Sequence, residues 1–148
     1  MSEHNLRNKV AIVTGASKGL GKAIALALGS AGASVALVSR DGERLKSVME
    51  EVNNAGGNAR VFVADVSDEK QVRQLERDVL EAFQAVHILV NNVGMNLRKD
   101  LIDFTLEEWR TVLDTNLTSV FLMCRSMVPH IKGRGYGSKR GSILRLAF

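Results

Sequence analysis

Short runs of consecutive apolar residues alternate along this chain with longer stretches whose apolar positions recur every three or four residues. The short runs, at 10–13, 34–39, 59–63 and 86–90, have strand length and β-branched character. The first stops at Thr14-Gly15. A helical pattern then starts near Gly19, with Leu20, Ile24, Ala27 and Leu28 on one face, and Gly32 punctuates the next turn. A second helix is expected over 41–54, carrying Leu45, Val48, Met49 and Val52 and ended by Gly56-Gly57. Asp65-Val-Ser-Asp68 caps a third, whose apolar face is Val72, Leu75, Val79 and Phe83. Thr105 and Glu108 form a capping box for a helix from Leu106 to about Leu113. A longer helix is expected from near Asn116 to about Lys132, with Pro129 near its end, and a short strand over 142–146.

Strands that are apolar throughout, separated by amphipathic helices, imply a parallel sheet covered on both faces. Right-handed crossovers make it doubly wound, with a ligand crevice at the C-terminal strand ends where the strand order reverses. Thr14-Gly15, Ser39-Arg40, Asp65 and Asn91-Asn92 all fall at such ends. The first turn reads Gly15-x-x-x-Gly19-x-Gly21. Glycines there permit close approach of backbone to ligand, and the helix that follows offers unpaired amides and a positive dipole end to a diphosphate. A Walker-type phosphate loop is excluded, because Ala16 and Ala23 stand where it needs a glycine and a Ser or Thr.

Composition narrows the picture. The 148 residues suit one domain of a globular protein, with 45% hydrophobic and 24% charged residues. No apolar span is long enough for a bilayer and no leader pattern opens the chain, so a cytoplasmic, membrane-free protein is expected. Cys124 alone cannot form an internal disulfide or a cysteine-rich metal site, and its apolar neighbours suit a buried structural thiol. His87 and His130 lack ligand-spaced partners, so no metal is expected. The net charge of +4 is uneven, with only basic residues after Asp114 (Arg125, Lys132, Arg134, Lys139, Arg140, Arg145). These charges lack the interleaved aromatics of a stacking platform, and no nucleic-acid-binding signature accompanies them; no nucleic-acid partner is expected.

Taken together, Thr14-Gly-x-x-x-Gly-x-Gly21, Asp65, Asn91-Asn-Val-Gly94 and Asn116 in Asp-Thr-Asn-Leu resemble the short-chain dehydrogenase/reductase family. The resemblance runs from Asn8 to about Gly135, with Val93 where the family usually has Ala. It implies a Rossmann-type sheet, incomplete at its C-terminal end, and a cofactor held by Thr14, Gly15, Ser17, Lys18, Gly19, Leu20 and Gly21. Asp65 and Val66 would flank the adenine. Asn91, Asn92, Val93 and Gly94 would line the crevice, and Asn116 would be the catalytic asparagine that kinks its helix. An acid ending the second strand would select NAD; Ser39 and Arg40 stand there instead, with Lys18 nearby. These charges favour NADP(H) over NAD(H).

The family's remaining catalytic groups are a Ser after the fifth strand and a Tyr-x-x-x-Lys pair on the next helix. In Gly141-Ser-Ile-Leu-Arg-Leu-Ala-Phe148, Arg145 stands in for an asparagine and Ala147 and Phe148 for serines. Tyr136 and Lys139 have the wrong spacing and precede the strand. The expectation is a truncated or frame-shifted reductase, atypical over about 137–148, that reduces a carbonyl or oxidises a secondary alcohol if the missing groups come from elsewhere. The alternative is an inactive dinucleotide-binding fragment or interaction module. Without a covering partner, Val120, Phe121, Cys124 and Val128 on the 116–132 helix would favour self-association.

Overall fold

A computed structural model describes residues 5–132 and 142–145. Its elements are β1 (Val10–Thr14), α1 (Gly19–Ser30), β2 (Ser34–Ser39), α2 (Gly42–Asn54), β3 (Asn58–Val63), α3 (Glu69–Phe83) and β4 (Ile88–Asn91). These are followed by α4 (Leu106–Leu113), α5 (Ser119–Lys132) and β5 (Ser142–Arg145). The strands pair in parallel in the order β3-β2-β1-β4-β5, so the order reverses between β1 and β4.

Two apolar layers sandwich the sheet. Ala11, Val13, Val35 and Leu37 point one way, onto Ala25 of α1 and Leu45, Val48 and Val52 of α2. Ile12, Ala36, Val38 and Leu89 point the other way, onto Val72, Leu75 and Val79 of α3 and Leu122, Met123 and Met127 of α5. The alternation along each strand is the period-2 geometry of a pleat, and burial on both faces explains why the strands read as unbroken apolar runs.

Helix starts follow local chemistry. The Asp41 carboxylate accepts from Arg44 N, the Asp68 carboxylate accepts from Lys70 N and Gln71 N, and Thr105 and Glu108 form a reciprocal capping box. Asp65 does not share in capping α3: its Oδ1 accepts from the Ser67 amide and hydroxyl at 2.9 and 2.6 Å. The first strand extends through Thr14, and the fourth starts two residues later than its apolar run. Val86 and His87 precede the fourth strand, and the Val10 amide donates to His87 Nδ1 at 3.0 Å.

The largest difference from the sequence expectation lies at 114–118. The helix expected from near Asn116 is α5, which starts three residues later and is joined to α4 without a break through a π turn, Asp114–Thr118. The wider π turn rotates the apolar face. Leu122, Met123 and Met127 are the buried apolar positions of α5 among the described side chains, Val120, Cys124 and Val128 are half-buried, and Phe121 is 56% exposed. The exposed apolar stripe runs instead along Leu106, Trp109, Leu113, Leu117 and Phe121.

On the far side of α5, Glu76 of α3 accepts from the Ser126 hydroxyl and pairs with His130 Nε2, both at 2.6 Å. Burial pushes the Glu76 carboxyl up, but hydrogen bonds from His130 and Ser126 outweigh it and hold the group below its ordinary value. His130 is thus an α3–α5 tie. Among the described residues no group of His, Cys, Asp and Glu is arranged to hold a metal ion. No helix among them is long and apolar enough to cross a membrane.

Candidate cofactor-binding site

At the carboxyl ends of β1 and β4, where the strand order reverses, an open cleft of about 470 Å³ enters the molecule. Gly15, Ser17, Lys18, Gly19 and Leu20 line it from the β1–α1 turn and the start of α1, Ser39 and Arg40 from the end of β2, Asp65 and Val66 from the segment after β3, and Asn92, Val93 and Gly94 from the segment after β4. Val38, Ala64, Ser67 and Thr115 complete the lining; apolar or small side chains such as these carry no chemical signal of their own in the sequence.

Thr14, Gly21, Asn91 and Asn116 are not among the lining residues. Each has a different place. Thr14 is buried, and its hydroxyl donates to Val90 O at 3.3 Å while accepting from Asn92 N at 3.0 Å and Val93 N at 3.4 Å. It stitches the end of β1 to the exit of β4. The Asn91 amide faces α5, with Nδ2 3.7 Å from Cys124 Sγ, so Asn91 lies outside the cleft lining that Asn92 joins. Asn116 sits within the π turn and grips the loop after β4: Met95 N donates to its Oδ1 at 2.7 Å, and its Nδ2 donates to Met95 O at 2.8 Å. A π turn is often found at functional sites, and here it carries Thr115 to the cleft.

Gly15 has φ +64°, in the left-handed region, and a Cβ there would lie 2.8 Å from Asn92 Nδ2. At Gly21 the constraint is contact, since a Cβ would overlap the Gly15 carbonyl oxygen and the Asn92 amide. Asn92 Nδ2 donates to that same carbonyl at 3.2 Å, and its buried Oδ1 has no hydrogen-bond partner among the described residues. The turn is therefore pressed tightly between helix and β4 loop.

The start of α1 differs from the starts of α2, α3 and α4. Lys18 occupies the cap position in an extended conformation, no side chain accepts from the first amides, and the first turn holds no acid. An uncapped helix start facing a cleft is suited to an anion, which would satisfy the amides and the dipole together. Lys18 and Arg40, both lining the cleft, make no ion pair among the described residues. Glycine turn, unpaired amides and free cations thus fit a phosphorylated dinucleotide.

Past Gly94 the loop is anchored by Lys99, whose Nζ lies 2.8 Å from Glu108 Oε2. The hydrogen bond from Lys99, then that from the Thr105 amide, holds the Glu108 carboxyl below its ordinary range.

The profile of the family described as short chain dehydrogenase matches residues 9–147. The chain belongs to this family. Short-chain dehydrogenases bind nicotinamide dinucleotides and act on the carbonyl or alcohol groups of small molecules. A tropinone reductase homologue from Arabidopsis thaliana, described as chloroplastic, is 37% identical over 95% of this chain and 42% of its own length. A metagenomic short-chain oxidoreductase solved in complex with NADP has a TM-score of 0.88 at 37% identity, over 96% of this chain and 64% of that one. A 7α-hydroxysteroid dehydrogenase solved with NADH and a 7-oxo bile acid conjugate has a TM-score of 0.91 at 30% identity, over 98% of this chain and 55% of that one. The chain spans about half the length of the curated relatives it matches. Positions 136, 139, 147 and 148, weighed above for catalytic groups, lie outside the described residues.

Proposed function

We propose that this chain is the cofactor-binding part of a short-chain oxidoreductase that transfers hydride between NADP(H) and a carbonyl or secondary alcohol. The uncapped start of α1 beneath the glycine turn carries the reading, because its unpaired amides call for an anion at the point where the cleft meets the β1–α1 turn. Gly15, Ser17, Gly19 and Leu20 would cradle the diphosphate, with Thr14 and Gly21 shaping the turn from behind. Asp65 and Val66 would flank the adenine, while Asn92, Val93 and Gly94 would face the middle of the cofactor. When bound, the nicotinamide supplies or accepts the hydride. Asn116 would be the catalytic asparagine that the resemblance implies; both polar atoms of its amide bond to Met95 of the loop after β4.

Preference for NADP(H) follows from charge. Lys18 and Arg40 line the cleft with Ser39 and make no ion pair among the described residues, and a ribose 2′-phosphate there would gain charge-assisted hydrogen bonds from both. Replacing both (K18A/R40A) is expected to weaken NADPH binding roughly ten- to hundredfold while changing NADH binding less than about threefold. Fluorescence titration reads both; equal losses for the two nucleotides would remove the preference for NADP(H).

The stretch 141–148 favours a second reading, an inactive dinucleotide-binding module, because Arg145, Ala147 and Phe148 replace an asparagine and two serines of the family pattern. NADPH titration beside a turnover assay on a panel of ketones separates the two: binding without turnover supports the module, and turnover supports the enzyme.

We also assign self-association to the helical arm formed by α4, the π turn and α5. Leu106, Trp109, Leu113, Leu117 and Phe121 present one exposed apolar stripe on a continuous helix, and a second copy can lay the same stripe against it antiparallel. Sedimentation is expected to show a concentration-dependent dimer that L117E/F121E dissolves. A monomer at all concentrations contradicts this.

A further inference from the structure

Beyond the inner cleft lies a wider one of about 780 Å³ that shares Ser17, Lys18, Ser39 and Arg40 with it and continues over the start of α2. Two acids border this outer cleft, Asp41 and Glu43. An acid beside a phosphate site is a liability, since like charges a few ångströms apart repel by about 1 kcal/mol in water and several times that against a protein surface. Asp41 directly follows Arg40, so the charge pattern alone leaves this end of the cleft ambiguous.

Both acids are occupied. Asp41 Oδ1 accepts from the Arg44 backbone amide at 3.1 Å, and Arg44 Nε lies 3.3 Å from Asp41 Oδ2. A third contact holds the same residue from behind, the Asp41 amide donating to Ser39 Oγ at 3.1 Å. Glu43 is paired with Lys46 at 2.9 Å. Among the described residues, Lys18 and Arg40 are left as the charges of this outer cleft that make no ion pair.

We propose that Arg44 is a specificity-determining positioning residue: by neutralising Asp41 and drawing its carboxylate against the start of α2, it keeps the ribose end of the cleft permissive for a phosphate monoester. This rests on the NADP(H) reading above and extends it to residues that reading does not use. Arg44 acts through Asp41, so its loss should be felt only by ligands that carry the extra phosphate, and only while Asp41 remains an acid.

The test compares the full chain with R44L, D41N and D41N/R44L, titrated calorimetrically with adenosine 2′,5′-bisphosphate and with adenosine 5′-monophosphate. Asparagine caps a helix about as well as aspartate, so D41N removes the charge and keeps the cap. The expected result is a roughly five- to tenfold loss of bisphosphate affinity in R44L, little change for the monophosphate, and recovery in D41N/R44L to within about twofold of the parent. Unchanged bisphosphate affinity in R44L overturns the inference. So does a loss that D41N fails to restore, which would mean that Arg44 touches the phosphate itself. If the parent chain binds the two nucleotides equally, the NADP(H) reading fails and takes this one with it; that outcome is read before any variant is made.

Discussion

The variant G21A is expected to lose nearly all dinucleotide binding while still folding. Gly21 is buried at the first turn of α1, and the methyl group of alanine would overlap the Gly15 carbonyl oxygen, a backbone atom that cannot rotate aside. Either α1 shifts away from β1 or the glycine turn opens, and both move the amides that would hold the diphosphate. Overpacking of this kind costs about 1–3 kcal/mol of stability. Loss of one or two charge-assisted amide bonds to phosphate lowers affinity by roughly a factor of ten to a thousand. Titration with NADPH well below the melting temperature measures the second effect separately from the first. Retention of parental affinity would mean that the turn does not form the phosphate site.

Substituting Leu89 by alanine should produce the largest loss of stability. Leu89 lies fully buried on β4, in the layer it shares with Ile12, Val79, Met123 and Met127, where β4 joins the two halves of the sheet. The vacated volume is walled by strands that cannot collapse into it, so the cost belongs to the upper range for such changes, about 3–5 kcal/mol. L89M conserves volume and is expected to cost less than about 1.5 kcal/mol. Thermal and denaturant unfolding of the two variants checks the pair; similar losses from both would place Leu89 outside the packed core.

The parallel doubly wound sheet was legible because its signals are local: unbroken apolar strands, helices capped by Asp41, Asp68 and Thr105, and a glycine turn at the first crossover. The cleft was legible for a related reason, as polar or small residues at successive strand ends must converge on one rim. What escaped depends on geometry between distant residues. Asn91 and Asn92 are adjacent, yet the strand pleat sends one toward Cys124 and the other toward the glycine turn. The π turn at 114–118 inserts no breaker residue, so nothing in the sequence signals that α4 and α5 join through it into one helical arm. The pairing of Asp41 with Arg44 looks in sequence like any ion pair on the first turn of a helix, and its bearing on ligand choice emerges only from the outer cleft.

The central strand has a further consequence for how the chain acquires its shape. β1 pairs with β2, which follows it after a single helix, and with β4, which is made only after two more helices and another strand. During synthesis at about 5–20 residues per second, one margin of β1 therefore stands open for several seconds with its hydrogen-bonding groups hydrated and without a strand partner. Chaperone capture, or mispairing with a neighbouring nascent chain, would be concentrated in that interval, and it closes when Ile88–Asn91 docks.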